Sequence, residues 1–206
     1  MDFENTSKSA LGLSKSHTVL LRDVAQLSVG YPFRNTCVPG EGGTLACFLR
    51  DVGSDGSLNV DALRRVEDVK PNGSHLAVAG DIVFRSRGGS FVSALVPVLD
   101  EDLLVVAPMI RIRVNRERVL PEYLVWYMNG ANGAAFFKEF AKGSAMPLIS
   151  KTVLEQMPVK LPNLRVQQTI ADLVKLSRKE HEILAEIVKQ KNLILETEIS
   201  KYLESL

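Results

Sequence analysis

The clearest periodicity lies at the C-terminal end. The chain holds fourteen glycines and nine prolines, and every one falls at or before Pro162. From Asn163 to Leu206 the sequence is rich in Leu, Ile, Val, Glu and Lys, the composition of one long helix. Asn163 suits an N-cap, and Pro162 ends whatever precedes it. Some forty residues at ~1.5 Å each make a rod of about 60 Å. That is about twice the diameter expected of the preceding globule, so the pattern predicts a helix that projects. Leu184, Val188, Leu195, Ile199, Tyr202 and Leu206 form a seam of the coiled-coil type along it. Lys191 and Asn192 interrupt the seam, as polar residues that fix register do. A second stripe, Ile183, Ile187 and Ile194, widens the face beyond the needs of a two-stranded pair. Such a face folds back onto its own domain or pairs with another helix, and the length favours pairing, in a second copy or in a partner protein.

Upstream the texture is mixed. Segments 17–21 (HTVLL), 44–50 (TLACFLR), 81–85 (DIVFR), 91–99 and 109–114 (MIRIRV) carry the β-branched and aromatic enrichment of strands. In the last of these, Ile110, Ile112 and Val114 alternate with Arg111 and Arg113, which reads as an apolar face and a solvated one. Clusters at 38–43, 51–56, 71–73 and 87–89 read as turns, Gly40–Gly43 among them. Then helices follow: PEYLVWYMN from Pro121, ended by Gly130; a second over 131–141; and a short third from a Ser150 cap to Met157. The expected class is α+β. A polar, flexible lead-in (1–16) precedes a mixed α/β globule (17–162) and one long coiled-coil helix (163–206). No internal repeat is visible.

Composition adds exclusions. With 46% hydrophobic and 24% charged residues and a mean hydropathy of +0.06, disorder, collagen-like repeats and disulfide miniproteins are set aside. The N-terminal stretch lacks the apolar core of a secretory signal, and no apolar run approaches the ~20 residues of a membrane span. A soluble cytoplasmic chain is expected. Cys37 and Cys47 then read as reduced thiols, and His17, His75 and His181 are too scattered for a metal site, so none is expected. No phosphate loop, GxGxxG, HExxH, CxxC, Gly-x-Ser-x-Gly elbow or Asp-Pro-Pro-Tyr loop occurs, so no catalytic residue is nominated. Glu186 and Lys189 read as a solvated pair.

Net charge is only +1, so a polyanion partner needs a local patch. Residues 1–165 hold 19 basic against 17 acidic residues, and 166–206 hold 6 against 7. Within 111–160 there are eight basic residues (Arg111, Arg113, Arg116, Arg118, Lys138, Lys142, Lys151 and Lys160) against four acidic ones. With Arg85 and Arg87 they are candidates for one phosphate-neutralising surface. Three loops are more particular. Asp81-Ile-Val-Phe-Arg-Ser-Arg-Gly-Gly89 ends a strand in arginines and a glycine pair that allow close approach. Lys142-Gly-Ser-Ala-Met-Pro147 leads to a helix start suited to phosphate. Gly30-Tyr-Pro-Phe-Arg34 puts an aromatic and an arginine on a turn.

The order of these pieces resembles a known family. Leu21-Arg-Asp-Val-Ala25 precedes Gly30-Tyr-Pro-Phe; Gly80-Asp-Ile-Val-Phe, Arg87-Gly88 and Leu120-Pro-Glu-Tyr-Leu124 follow. Lys142-Gly-Ser-Ala, Ile149-Ser150, Val159-Lys-Leu-Pro162, Gln167-Gln168 and Ile170-Ala171 complete the series. It is similar to the DNA specificity subunits of type I restriction–modification systems over about residues 21–175. That resemblance implies a non-catalytic target-recognition domain with a spacer helix. It also implies double-stranded DNA and methyltransferase subunits as partners, and a restriction or translocase subunit as a further one. S-adenosylmethionine and ATP then belong to those partners, with no cofactor in this chain. Complete members carry two recognition domains and two antiparallel helices, whereas this chain has one of each.

A half-length form is expected to pair with itself through Leu184, Ile187, Val188, Lys191, Leu195, Ile199 and Tyr202, making a homodimer that reads an interrupted palindrome. Pairing with a different half-subunit is the asymmetric alternative. The expected DNA contacts are Tyr31, Arg34, Arg85, Arg87, Gly88, Lys142, Ser144 and Lys151. Base reading is assigned to Arg85 and Arg87, phosphate contact to Lys142, Ser144 and Lys151. A protein-only adaptor using the helix, a truncated remnant and an enzyme with an unfamiliar site remain alternatives.

Overall fold

The computed structural model describes residues 17–33, 39–88, 90–140 and 146–204. Arg34, Cys37, Lys142, Ser144 and the lead-in at 1–16 lie outside the described residues. The architecture is α+β, a sheet-rich globule and a long C-terminal helix, as the patterning predicts.

Three sheets make up the globule. Strand β1 (His17–Leu20) pairs antiparallel with β10 (Pro158–Leu161), so the first strand lies beside the last one before the long helix. A second, antiparallel sheet has the order β2–β9–β6–β7, from Ala25–Val29, Ile110–Val114, Ile82–Phe84 and Ser93–Leu95. The third has the order β4–β3–β8–β5, from Arg64–Val66, Pro39–Cys47, Leu103–Val105 and Leu76–Ala77, with β3 and β8 parallel.

Period-2 alternation decides what packs where. In the antiparallel sheet, Ile82 pairs with Ile112 and Phe84 with Ile110, so these four share one face. That face meets helices α1 (Pro121–Asn129) and α2 (Ala131–Phe140): the Phe84 and Phe137 rings lie 5.2 Å apart, and Asn129 exchanges two 2.8 Å hydrogen bonds with the Ser93 backbone. Val83 and Ala94 point the other way, into a buried layer with Cys47, Ala77, Leu103, Val105 and Met109 from the mixed sheet and its turn. Both faces of the antiparallel sheet are therefore covered.

This corrects the reading of Arg111 and Arg113. They share the face of Val83 and Ala94, which looks onto the mixed sheet, where Arg111 is buried and Arg113 half-buried. Arg111 is 2% exposed and donates to the carbonyls of Gly73 and Leu76 at 3.1 and 2.8 Å and to Ser28 Oγ at 3.3 Å. Arg113 grips Asp81 with Nε–Oδ1 at 2.8 Å and Nη2–Oδ2 at 2.6 Å. Burial lowers the Arg111 pKa, helped by the neighbouring Arg113 charge, while the hydrogen bond to Asp81 raises that of Arg113. Arg111 braces one sheet against the other and leaves the expected cationic surface, while Arg113 is held by Asp81 with part of its side chain still in solvent.

Gly40–Gly43 is also revised: it lies within β3, not in a turn. Pro39 and Thr44 both pair with Val66, which marks a bulge, and a Cβ on Gly43 would stand 2.1 Å from the Val66 carbonyl oxygen. Glycine is what lets the backbones approach. The thiol of Cys47 is wholly buried and its pKa is pushed up to about 12 by desolvation and by Asp51.

The predicted helices form with small shifts. Pro121 opens α1 and Gly130 closes it, its N–H donating to Trp126 O at 3.0 Å. Helix α3 (Lys151–Glu155) is shorter than expected, because residues 158–161 join β1 as a strand. Helix α4 (Leu164–Glu204) starts at an Asn163 cap, whose Oδ1 accepts from Val166 N at 2.9 Å. The chain divides into two units, ending at Gln168 and beginning at Thr169, so the first keeps the opening turn of α4. Gln167 explains this. Fully buried, it accepts from Leu120 N at 2.9 Å and donates to the carbonyls of Arg118 and Pro162 at 3.1 and 2.9 Å.

Along the second unit, Leu184, Ile187, Val188, Leu195, Ile199 and Tyr202 are between 46% and 67% exposed. Ile183 and Ile194 are exposed beside them. The polar side carries local pairs such as Lys201–Glu198 at 2.8 Å and Lys189–Glu186 at 3.9 Å. Among the described residues no helix is long and apolar enough to cross a membrane.

Candidate nucleic-acid interface

Two of the loops singled out in the sequence meet at one turn, Val106–Met109, and the 148–149 segment after the third joins the second of them. Gly30 comes first. Its N–H donates to Met109 O at 2.8 Å, and a Cβ there would lie 2.6 Å from the carbonyl carbon of Val106, so only glycine allows the contact. Tyr31 follows as a parallel bridge to Val106: its N–H donates to Val105 O at 2.7 Å and its carbonyl accepts from Ala107 N at 3.0 Å. On the other side of the turn, the buried Ser86 hydroxyl donates to Pro108 O. Ser86 in turn holds the segment that follows the third loop, its carbonyl accepting from Ile149 N at 2.9 Å. Arg87 and Leu148 form an antiparallel bridge beside that bond.

The nominated residues that the structure describes then have their places, and Arg34, Lys142 and Ser144 lie outside the described residues. Arg87 is exposed on the bridge, and Gly88 next to it has φ +108°, a conformation open to glycine and strained for other residues. Arg85 is half-buried and braces the fold: its Nη1 donates to Val52 O at 2.8 Å. Its Nε is buried without a hydrogen-bond partner among the described residues. Lys151 opens α3 and lies 3.3 Å from Glu155, which offsets its charge. Ser150 caps this helix by accepting from Val153 N at 3.2 Å. The structure thus joins Tyr31, Arg87 and Gly88 to the end of the 142–147 loop through the Val106–Met109 turn and the 148–149 segment.

Several residues at this edge escaped the sequence reading. Tyr31 sits in an aromatic group, edge-on to Phe33 and to His75 at 5.3 Å each. Phe33 stacks on Phe48 at 6.2 Å, and the Arg50 guanidinium lies 5.2 Å from the Phe48 ring. Met146 and Leu148 are 66% and 50% exposed, apolar side chains in a Ser- and Pro-flanked loop. Their apolar character within a polar loop was the available signal. Among the described residues no group of three or more His, Cys, Asp and Glu side chains could hold a metal ion.

No family model and no curated protein matches the chain. Solved structures do. A chain from work on complex assembly and conformational transition of the type I R-M system aligns with TM-score 0.62 and 18% identity, over 89% of this chain and 46% of that one. The HsdS subunit from Thermoanaerobacter tengcongensis aligns with TM-score 0.58 and 17% identity, over 87% and 44%. The type I restriction–modification S subunit from M. genitalium aligns with TM-score 0.57 and 13% identity, over 86% and 42%. This chain spans less than half the length of each of these structures, and it has the fold of the type I restriction–modification specificity subunit.

Proposed function

We propose that this chain reads double-stranded DNA as the non-catalytic specificity component of a type I restriction–modification system in the cytoplasm. The observation that carries the reading is that Gly30–Tyr31 and Ser86 meet at the Val106–Met109 turn while Leu148–Ile149 pairs with Ser86–Arg87, in a chain with the specificity-subunit fold. Arg87 is the base reader, with Arg85 behind it as a brace, and Lys142, Ser144 and Lys151 supply phosphate contacts. The exposed apolar face of α4 pairs with the same helix of a second copy, which sets two identical readers on a dyad and makes the target an interrupted palindrome. Methyltransferase subunits dock on this dimer and bring S-adenosylmethionine. A translocase, where present, brings ATP. The chain itself binds neither.

Co-purification with a type I methyltransferase subunit, followed by mapping of methylated adenines, tests partner, function and symmetry together. Methylation within inverted half-sites at a fixed spacing is expected. A single unrepeated half-site defeats the symmetric dimer, and a pair of unlike half-sites favours pairing with a different half-subunit. The same exposed face of α4 also favours a second reading, a protein-only adaptor. Salt separates the two, since a DNA reader loses affinity steeply as salt rises and an adaptor has no such affinity to lose.

A further inference from the structure

We infer that Leu148 is a specificity-determining residue that contacts a thymine methyl group on the base pair next to the one read by Arg87. The inference rests on the DNA-reading function proposed above.

Its basis is the geometry of one residue pair. Arg87 and Leu148 face each other across an isolated antiparallel bridge. The hydrogen bond beside them runs from Ile149 N to Ser86 O, so the flanking residues are joined and Arg87 and Leu148 form the non-hydrogen-bonded type of pair. In such pairs the Cα atoms are about 4.5 Å apart and the side chains share one face at their closest approach. Alternation fixes which face that is. Ser86 and Ile149 are buried at 2% and 0% exposure, while Arg87 is exposed and Leu148 is 50% exposed. Both partners therefore point outward from the domain, side by side.

An arginine and an aliphatic side chain about 5 Å apart across one bridge supply two contacts that the major groove takes. Arginine pairs bidentately with guanine O6 and N7, and apolar side chains contact the thymine methyl. One base-pair step is about 3.4 Å, so two such neighbours reach adjacent pairs.

The test uses the full chain and duplexes it selects from a random pool. Arg87→Ala identifies the guanine, as the position where discrimination is lost. Each neighbouring thymine is then replaced by uracil, which removes only the 5-methyl group. One replacement is expected to weaken binding of the unaltered chain by about fourfold, the worth of one buried methyl group. Leu148→Ala should be indifferent to the same replacement, and Leu148→Met should stay sensitive. If no neighbouring uracil matters, or if Leu148→Ala remains as sensitive as the unaltered chain, the assignment to Leu148 is overturned while DNA reading stands. If the chain selects no sequence at all, the DNA-reading function fails and this inference with it.

Discussion

The backbone N–H of Ile149 donates to the carbonyl of Ser86 at 2.9 Å, tying together two loops that are far apart in sequence. Ser86 also reaches the Val106–Met109 turn through its hydroxyl, so one small residue holds three segments in place. Replacing Ser86 by Ala strands the Pro108 carbonyl in a partly buried setting. A loss of about 1–2 kcal/mol is expected in urea unfolding. An unchanged midpoint would show that the turn is held by something else.

The Arg113–Asp81 pair makes a second stability prediction. Removing a partner of a fully buried ion pair costs about 3–5 kcal/mol. Asp81 is 3% exposed, but Arg113 keeps 40% of its side chain in solvent. Asp81→Ala should therefore cost less, about 2 kcal/mol, and it also frees the Val78 N–H now held by Asp81 Oδ2 at 2.9 Å. Unfolding of the variant in denaturant checks this, and a cost below 0.5 kcal/mol would remove the bracing role.

For DNA, Arg87→Ala should weaken cognate binding by about 1–3 kcal/mol and relax sequence choice, whereas Lys142→Ala should weaken all duplexes alike and lower the salt slope by about one. Titrations of cognate and scrambled duplexes at several salt concentrations separate the two roles. Equal affinity of Arg87→Ala and the unaltered chain for cognate DNA would sink the base-reading assignment.

Pairing through α4 predicts that Ile187→Asp with Leu195→Asp yields a single-copy species with a folded first unit. Sedimentation at micromolar concentration, with circular dichroism, is the measurement. An unaltered chain that sediments as one copy, with or without a methyltransferase, would end the paired-reader account. Inserting one turn into α4, about four residues, should change the spacing of methylated half-sites.

Tyr123 gives a pH prediction. Burial, helped by Tyr127, raises its pKa from 10.0 to about 12, and its hydroxyl donates to Lys160 O at 2.6 Å. Because the folded value is the higher one, the unfolded chain releases this proton first. The contribution is full below about pH 10 and is lost as pH rises toward 12. Cys47, raised from 9.0 to about 12, acts in the same direction. Tyr123→Phe should lose ~1 kcal/mol at neutral pH and show a shallower alkaline decline. An identical slope in both proteins would remove Tyr123 from the account.

Local signals alone determined a good deal. The absence of glycine and proline after Pro162 and the apolar stripe set the 41-residue helix. Pro121, Gly130, Ser150 and Asn163 marked helix ends, because capping and fixed φ act over three or four residues. The sequence also nominated the three loops. It missed β2 and β10, and it missed β4, β5 and β8, which span three, two and three residues, because so short a strand is defined by its neighbours' hydrogen bonds and carries no period of its own. Arg111 illustrates the other limit. Alternation placed it opposite Ile110 and Ile112, but only the mixed sheet decided that this opposite face would be buried and that its guanidinium would serve carbonyls of residues 73 and 76. That Arg87 and Leu148 stand side by side was likewise settled in three dimensions, since a bridge between distant segments depends on how the chain closes on itself and not on either segment's composition.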